Sequence, residues 1–314
     1  MARNGPGAWL RLIGTAIVAV LAALLVVLPG AATATTGGAA SPGGGKSPPP
    51  SPSGSPAEEP SAGALTLTFA RTAPRTSFFY GYRYPHLHFT IGSDQPQNDL
   101  RIDVVDAAGE VVQTFFRNDV APNTTTTIRW DGTTADGRPA PNGRYRFRVG
   151  PQSGGPLARP SSTSETTSLG FALYRFAFPV AGPHDFGGPA DRFGAPRAGH
   201  THQGQDVLAA CDTPLVAARG GTVQYAGFEA NAGNYIVIDG VSTGFDMVYM
   251  HLREPSPLKK GMTVRTGQPI GVVGQTGDAT ACHLHFEIWT APGWYEGGHP
   301  IDPLPFLERW DRYS

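Results

Sequence analysis

Cysteine is almost missing from this chain: 314 residues hold two, Cys211 and Cys282, so at most one internal disulfide can form. Charge is also sparse. Only 16% of residues are Asp, Glu, Lys or Arg, the formal net charge is -1, and no basic run or aromatic-basic stripe occurs. Nucleic acid is therefore not an expected partner. Stretches free of helix breakers are scarce too, because Gly 41 and Pro 30 are too many for a helical protein. Short strands joined by many turns are the natural reading.

One long apolar run exists, from Leu12 to Leu28, preceded by Arg3 and Arg11 and broken by Pro29-Gly30. Ala32-Thr33-Ala34 then offers small residues for cleavage, so residues 1–34 are expected to be a signal peptide. A run of about 17 residues is at the short limit for a spanning helix, which keeps an uncleaved membrane anchor as the alternative. Either reading places the rest of the chain outside the cytoplasm, secreted or associated with the cell envelope.

Residues 35–63 are Gly, Pro and Ser with almost no apolar side chains, and cannot form a core. Alternation begins after them: Leu65-x-Leu67-x-Phe69, Leu100-x-Ile102-x-Val104 and Tyr145-x-Phe147-x-Val149 each put apolar groups on one face. With turns at Asp106–Gly109, Asp131-Gly132, Asp136-Gly137 and Asn142-Gly143, residues 64–149 read as a small β-sandwich. Residues 150–168 form a second Gly/Pro/Ser/Thr linker, and residues 169–314 the last domain. The expected fold is all-β.

The chemistry lies in that last domain. In Cys282-His283-Leu284-His285-Phe286-Glu287 the two imidazoles project from one face of a strand, about 7 Å apart. One of them can ligate a metal while the other stands over the reacting water. His202 and Asp206 would be roughly 13 Å apart on a straight strand, too far to share an ion, so the chain must bend at Gly204. His202, Asp206 and His285 then give two nitrogens and one oxygen, with a fourth position left to solvent, as in catalytic zinc sites. The same tripeptide recurs at His86-Leu87-His88 without a His-x-Gly-x-Asp nearby. That copy reads as the surface of a strand.

His202-Gln203-Gly204-Gln205-Asp206, Tyr249-Met250-His251-Leu252 and His283-Leu284-His285-Phe286-Glu287, in that order, resemble the lysostaphin-type (LytM-like) zinc endopeptidases that cut peptidoglycan peptides. The likeness runs from about Phe178 to Leu307 and includes Asp191-Arg192-Phe193-Gly194 leading into Arg197. It implies a mostly antiparallel β-domain with a metal in a groove, zinc held by His202, Asp206 and His285, and catalytic imidazoles at His251 and His283. Tyr249 would share the face of His251 on a regular strand, and a packed or surface role is expected for it rather than assistance. Ile102 to Val149, with Trp130-Asp131-Gly132 and Asn142-Gly143-Arg144-Tyr145, resembles the immunoglobulin-like domain of flagellar hook-capping proteins. No chemistry is assigned to it.

Cys211 follows Asp206 by five residues and Cys282 precedes His283. In an exported protein such a pair is expected to be a disulfide, the alternative being that one cysteine ligates zinc. His184, His200 and His299 receive no role. The expected function is an extracytoplasmic, monomeric zinc endopeptidase acting on peptidoglycan peptides. The other reading is an inactive relative that binds wall or activates another hydrolase, and a remoter one is an adhesin with a closed, structural zinc.

Overall fold

The computed structural model describes residues 65–161 and 169–314. The expected signal peptide and first linker lie outside the described residues. Among those residues no helix is long and apolar enough to cross a membrane.

Two sheets face each other in the amino-terminal part. One has the order Thr126–Arg129, His86–Gly92, Thr66–Ala73, Arg159–Pro160; the other runs Thr76–Phe78, Gly170–Tyr174, Gly143–Pro151, Asn98–Val105, Val111–Val120. Period-two patterning explains the pairing: Leu87, Phe89 and Ile91 point inward while His86, His88 and Thr90 stay partly exposed. The inward residues meet Leu100, Ile102, Trp130, Tyr145 and Phe147 in one core. Gly132 and Gly137 carry the positive φ their turns need, 87° and 79°. The sandwich reaches further along the chain than alternation up to Val149 suggests. Residues 159–160, within the expected second linker, pair with Thr66 and Leu67, and Gly170–Tyr174, expected to open the last domain, completes the second sheet. Phe171 and Leu173 anchor that strand in the sandwich core.

The carboxy-terminal part is built on one large sheet. Its order is His184–Asp185, Gln205–Ala209, His283–Thr290, Phe245–Leu252, Gly233–Gly240, Gly221–Glu229, Thr263–Val264, and the pairs along it are antiparallel. This sheet is covered on both faces, which is why its central strands read as nearly continuous apolar runs. In Gly233–Gly240, Ile236 and Ile238 join the main core with Leu284, Phe286 and Trp310, whereas Tyr235 and Val237 join a second cluster with Trp289 and Trp294. The one α-helix among the described residues, Leu304–Asp311, buries Leu307 and Trp310 against the first face. Where the two parts meet, Thr266 exchanges backbone hydrogen bonds with Tyr80 (3.0 Å) and Tyr82 (2.8 Å), and the buried Arg219 lies 4.4 Å from the Phe79 ring centre.

Candidate metal centre

Strand register brings the first two candidate ligands together. Gln205–Ala209 runs antiparallel to His283–Thr290 with Asp206 opposite His285 and Leu208 opposite His283. Directly opposed residues share a face, so a carboxylate and an imidazole meet without either leaving its strand. The chain bends at Gly204 before that strand begins, as the spacing requires. The glycine is needed for closeness rather than for an unusual backbone angle: a Cβ there would lie 2.5 Å from the Phe286 carbonyl oxygen and 2.8 Å from His285 Nε2. Upstream of the bend, His202 is held by its backbone N–H, which donates to the Ala195 carbonyl at 2.9 Å.

The outcome is a buried triangle. His202 Nε2 is 3.0 Å from Asp206 Oδ1 and 2.9 Å from His285 Nδ1, and His285 Nδ1 is 2.8 Å from Asp206 Oδ1. Each group has its outward atom already engaged. His202 Nδ1 is 2.8 Å from the Arg192 carbonyl and donates to it; His285 Nε2 is 3.0 Å from Glu287 Oε1; Arg197 Nη2 donates to Asp206 Oδ2 at 2.9 Å. Trp289 Nε1 donates to the other Glu287 oxygen at 2.6 Å. With those bonds made, three lone pairs point at one another, an arrangement that needs a cation between them. The donor set of two imidazole nitrogens and one carboxylate oxygen, mutually within 4.8 Å, suits zinc. Burial would raise the Asp206 carboxyl, yet hydrogen bonds from His202 and His285 hold it well below the usual carboxylate range. Burial would lower His285, yet Asp206 and Glu287 push it up to about 9. Metal binding at such a site must displace protons.

His251 and His283 flank the triangle. Their ring centres are 4.7 Å apart, and His251 is 5.9 Å from the His285 ring. His251 Nδ1 donates to the Thr276 carbonyl at 2.8 Å and His283 Nδ1 to the Ala281 carbonyl at 2.9 Å, and among the described residues neither Nε2 takes part in a hydrogen bond. His283 Nε2 stands 3.6 Å from Asp206 Oδ1. Burial, reinforced by His283 and His285, pushes His251 down to about 4, so it is neutral at pH 7.

Tyr249 does not share the face of His251. Its hydroxyl accepts a hydrogen bond from the Ala218 N–H at 2.8 Å inside the main core, and burial raises its pKa. The difference from regular alternation comes from His251 itself, whose φ of 62° swings its side chain to the side of the sheet that carries the His202–Asp206–His285 triangle. Cys211 and Cys282 are joined as a disulfide with Cα atoms 5.3 Å apart, so neither sulfur is available as a ligand. His200 is exposed and outside the triangle, His184 packs on Phe178, and His299 bonds Thr290. Sequence reading gave no role to Arg197 or Glu287. The second was accessible in principle, since Glu287 lies two residues beyond His285 on the same face of a strand; the first was not, because Arg197 arrives from a separate hairpin, Pro196–Arg197 with His200–Thr201.

Residues 200–303 match Peptidase family M23, and residues 86–155 match the FlgD Ig-like domain. Among similar curated proteins is the peptidoglycan DD-endopeptidase ShyC of Vibrio cholerae, 38% identical over 87 residues, covering 28% of this chain and 20% of that one. Another is a lipoprotein NlpD/LppB homolog of Pseudomonas aeruginosa, 32% identical over 150 residues, covering 48% of this chain and 46% of that one. The chain spans less than half the length of the curated relatives it matches. Among solved structures, the catalytic domain of lysostaphin from Staphylococcus simulans is 32% identical with a TM-score of 0.34, covering 37% of this chain and 89% of that domain.

Proposed function

From a chain whose residues 200–303 form a peptidase family M23 domain and whose residues 86–155 form a FlgD Ig-like domain, we propose an extracytoplasmic zinc endopeptidase that hydrolyses peptide bonds of peptidoglycan. His202 Nε2, Asp206 Oδ1 and His285 Nδ1 would hold the ion. Zinc, when bound, supplies a Lewis acid that polarises a carbonyl and lowers the pKa of water.

The remaining steps belong to the protein. His251, neutral because it is buried beside two other imidazoles, can accept a proton at Nε2 as water adds to the peptide carbonyl carbon. As the C–N bond breaks, the proton taken by His251 passes to the leaving nitrogen, and His283, whose Nδ1–H is committed to Ala281, can donate from Nε2 to the developing oxyanion in its imidazolium form. Their backbone bonds to Thr276 and Ala281 fix both rings in advance, so little reorganisation accompanies the proton transfers. Beside the site, Tyr295 is 68% exposed and its hydroxyl donates to Gln203 Oε1 at 3.2 Å, which offers an amphipathic wall to a peptide.

The observation that carries the reading is the free Nε2 of both His251 and His283 beside a three-ligand triangle to which, among the described residues, no fourth protein ligand is added. A structural zinc would be closed. The test is mass spectrometry of fragments released from purified cell-wall sacculi by the zinc-loaded protein. Peptides with newly cut cross-links or stems support the enzyme. Sacculus binding with zinc bound and nothing released would establish the inactive wall-binding activator instead.

A further inference from the structure

The sandwich's four-stranded sheet has a charge composition unlike the rest of the chain. Its strands, Thr66–Ala73, His86–Gly92, Thr126–Arg129 and Arg159–Pro160, contain three arginines, two histidines and no Asp or Glu. The other sheet mixes signs, and its Arg101 donates to Asp103 at 2.9 Å. Register concentrates the basic groups: Arg71 is opposite His88, which is opposite Thr127, and the next row out places His86 opposite Arg129. Arg71 and Arg129 are exposed, and among the described residues neither takes part in an ion pair. The two imidazoles lie edge to face with centres 4.6 Å apart.

Their hydrogen bonds turn reactive nitrogens outward. His86 Nδ1 donates to the Tyr84 carbonyl at 3.1 Å and His88 Nδ1 pairs with Thr127 Oγ1 at 2.8 Å, so both Nε2 atoms remain for a ligand. Burial lowers the pKa of His88, and His86, Arg71 and Arg129 lower it further. A fold that crowds four cationic or protonatable groups on an open face, with no acid among them, stores a repulsion that an anion relieves. Arg71 and Arg129 are two strands and two residues apart, about 12 Å between their Cα atoms, so one small anion is outspanned and repeated charges along a flexible chain fit better.

We propose that this sheet face binds an envelope polymer with repeating phosphodiester groups, a poly(polyol phosphate), laid across Arg71, His86, His88 and Arg129. The choice of an envelope polymer rests on the extracytoplasmic reading above; the charge pattern does not. Guanidinium groups bind phosphate oxygens through paired N–H donors, and each imidazole adds a donor when it takes up a proton. The basic groups facing His88 are Arg71 from one neighbouring strand, Arg129 from the other and His86 from its own. Affinity therefore rises as the pH falls.

The test is equilibrium binding of the full chain to fluorescently labelled poly(glycerol phosphate), with polyglutamate, neutral dextran and a single-stranded oligonucleotide as comparators. Binding to the phosphate polymer that tightens from about pH 7.5 to about pH 5.5 is expected. The R71Q/R129Q variant should bind at least 10-fold more weakly and lower the slope of log K against log salt by about 1.4, the release of two counterion contacts on a single-stranded chain. R117Q, on the other sheet, should change nothing. No binding by the parent protein, or an unchanged double variant of parental melting temperature, overturns the site. Equal binding of polyglutamate overturns the phosphate assignment, and tighter binding of the oligonucleotide overturns the envelope source. H86Q/H88Q that keeps the full pH dependence overturns the imidazole role. None of these readouts uses peptide hydrolysis, so this site can fail while the endopeptidase assignment stands, and the reverse.

Discussion

His251 and His283 face each other with ring centres 4.7 Å apart, although regular alternation would turn His251 to the opposite side of its sheet. Its neighbours on the strand show the rule it breaks: Tyr249 opposes Phe286 in the main core and Met250 opposes His285 on the metal side. A backbone φ of 62° at His251 crosses it over. Left-handed backbone at a non-glycine residue costs on the order of 1 to 2 kcal/mol, so the fold carries a local strain to bring the second imidazole to the site.

That strain separates stability from chemistry. H251G removes the imidazole and the backbone penalty together, so it should melt closer to the parent protein than H251A does. Both variants should keep zinc, since all three ligands remain, and both should lose about 100-fold or more of wall-cleaving activity. By contrast D206A and H285A should lose zinc and activity together. Zinc content by atomic absorption, measured beside turnover on sacculi, checks the split; zinc loss in H251A equal to that in H285A would refute the assignment.

Glu287 bonds His285 Nε2 through one oxygen and Trp289 Nε1 through the other, and it is buried. E287Q can accept only one of those two bonds with its carboxamide oxygen and carries no charge to strengthen the imidazole as a donor to metal. Zinc affinity should fall 10- to 100-fold. Competition with a graded chelator reads this directly, and an unchanged affinity would show that the carboxylate serves only packing.

The grouping of His202, Asp206 and His285 was legible because it is written in short-range signals. The two-residue step from His283 to His285 fixes a shared face, and the four-residue step from His202 to Asp206 demands a bend. The all-β class was legible for the same reason, since alternation such as Leu100-x-Ile102-x-Val104 needs no partner to be recognised. What could not be read came from contacts distant in sequence or from single backbone angles. Arg197 reaches Asp206 from a separate hairpin, the φ of His251 is invisible in its letter, and Arg71, His86, His88 and Arg129 become one patch only through strand pairing. The absence of a basic run in the chain was thus no guide to the absence of a basic surface. Gly170–Tyr174 was missed because it follows a polar stretch that resembles a boundary, yet its Phe171 and Leu173 belong to the sandwich core.

Gly204 gives a third prediction. Its missing Cβ leaves room for the Phe286 carbonyl at 2.5 Å and His285 Nε2 at 2.8 Å, both on the paired strand. G204A must push that strand away or shift the bend, at a cost of about 1 to 3 kcal/mol typical of overpacking. Because the displaced imidazole belongs to one of the three proposed ligands, zinc affinity should fall in step with stability. Urea denaturation and zinc titration on the same preparation test it, and a variant that matched the parent in both would show that the bend has slack.

The disulfide gives the last. Cys211 and Cys282 enclose a separation of 71 residues, and closing a loop of that length should stabilise the folded state by about 4 kcal/mol through unfolded-chain entropy. Cys211 follows the strand that carries Asp206, and Cys282 immediately precedes His283. The bond therefore ties together the two strands whose register places Asp206 against His285. C211S/C282S should unfold at a markedly lower urea midpoint. It should also bind zinc less tightly when folded, since loosening the start of the His283–Thr290 strand lets the opposed ligands drift. Supplying saturating zinc should recover part of the lost stability, because the ion binds the folded chain and links the same two strands. A double-serine variant with parental midpoint, or one whose midpoint does not respond to zinc, would show that the disulfide and the metal centre are energetically independent.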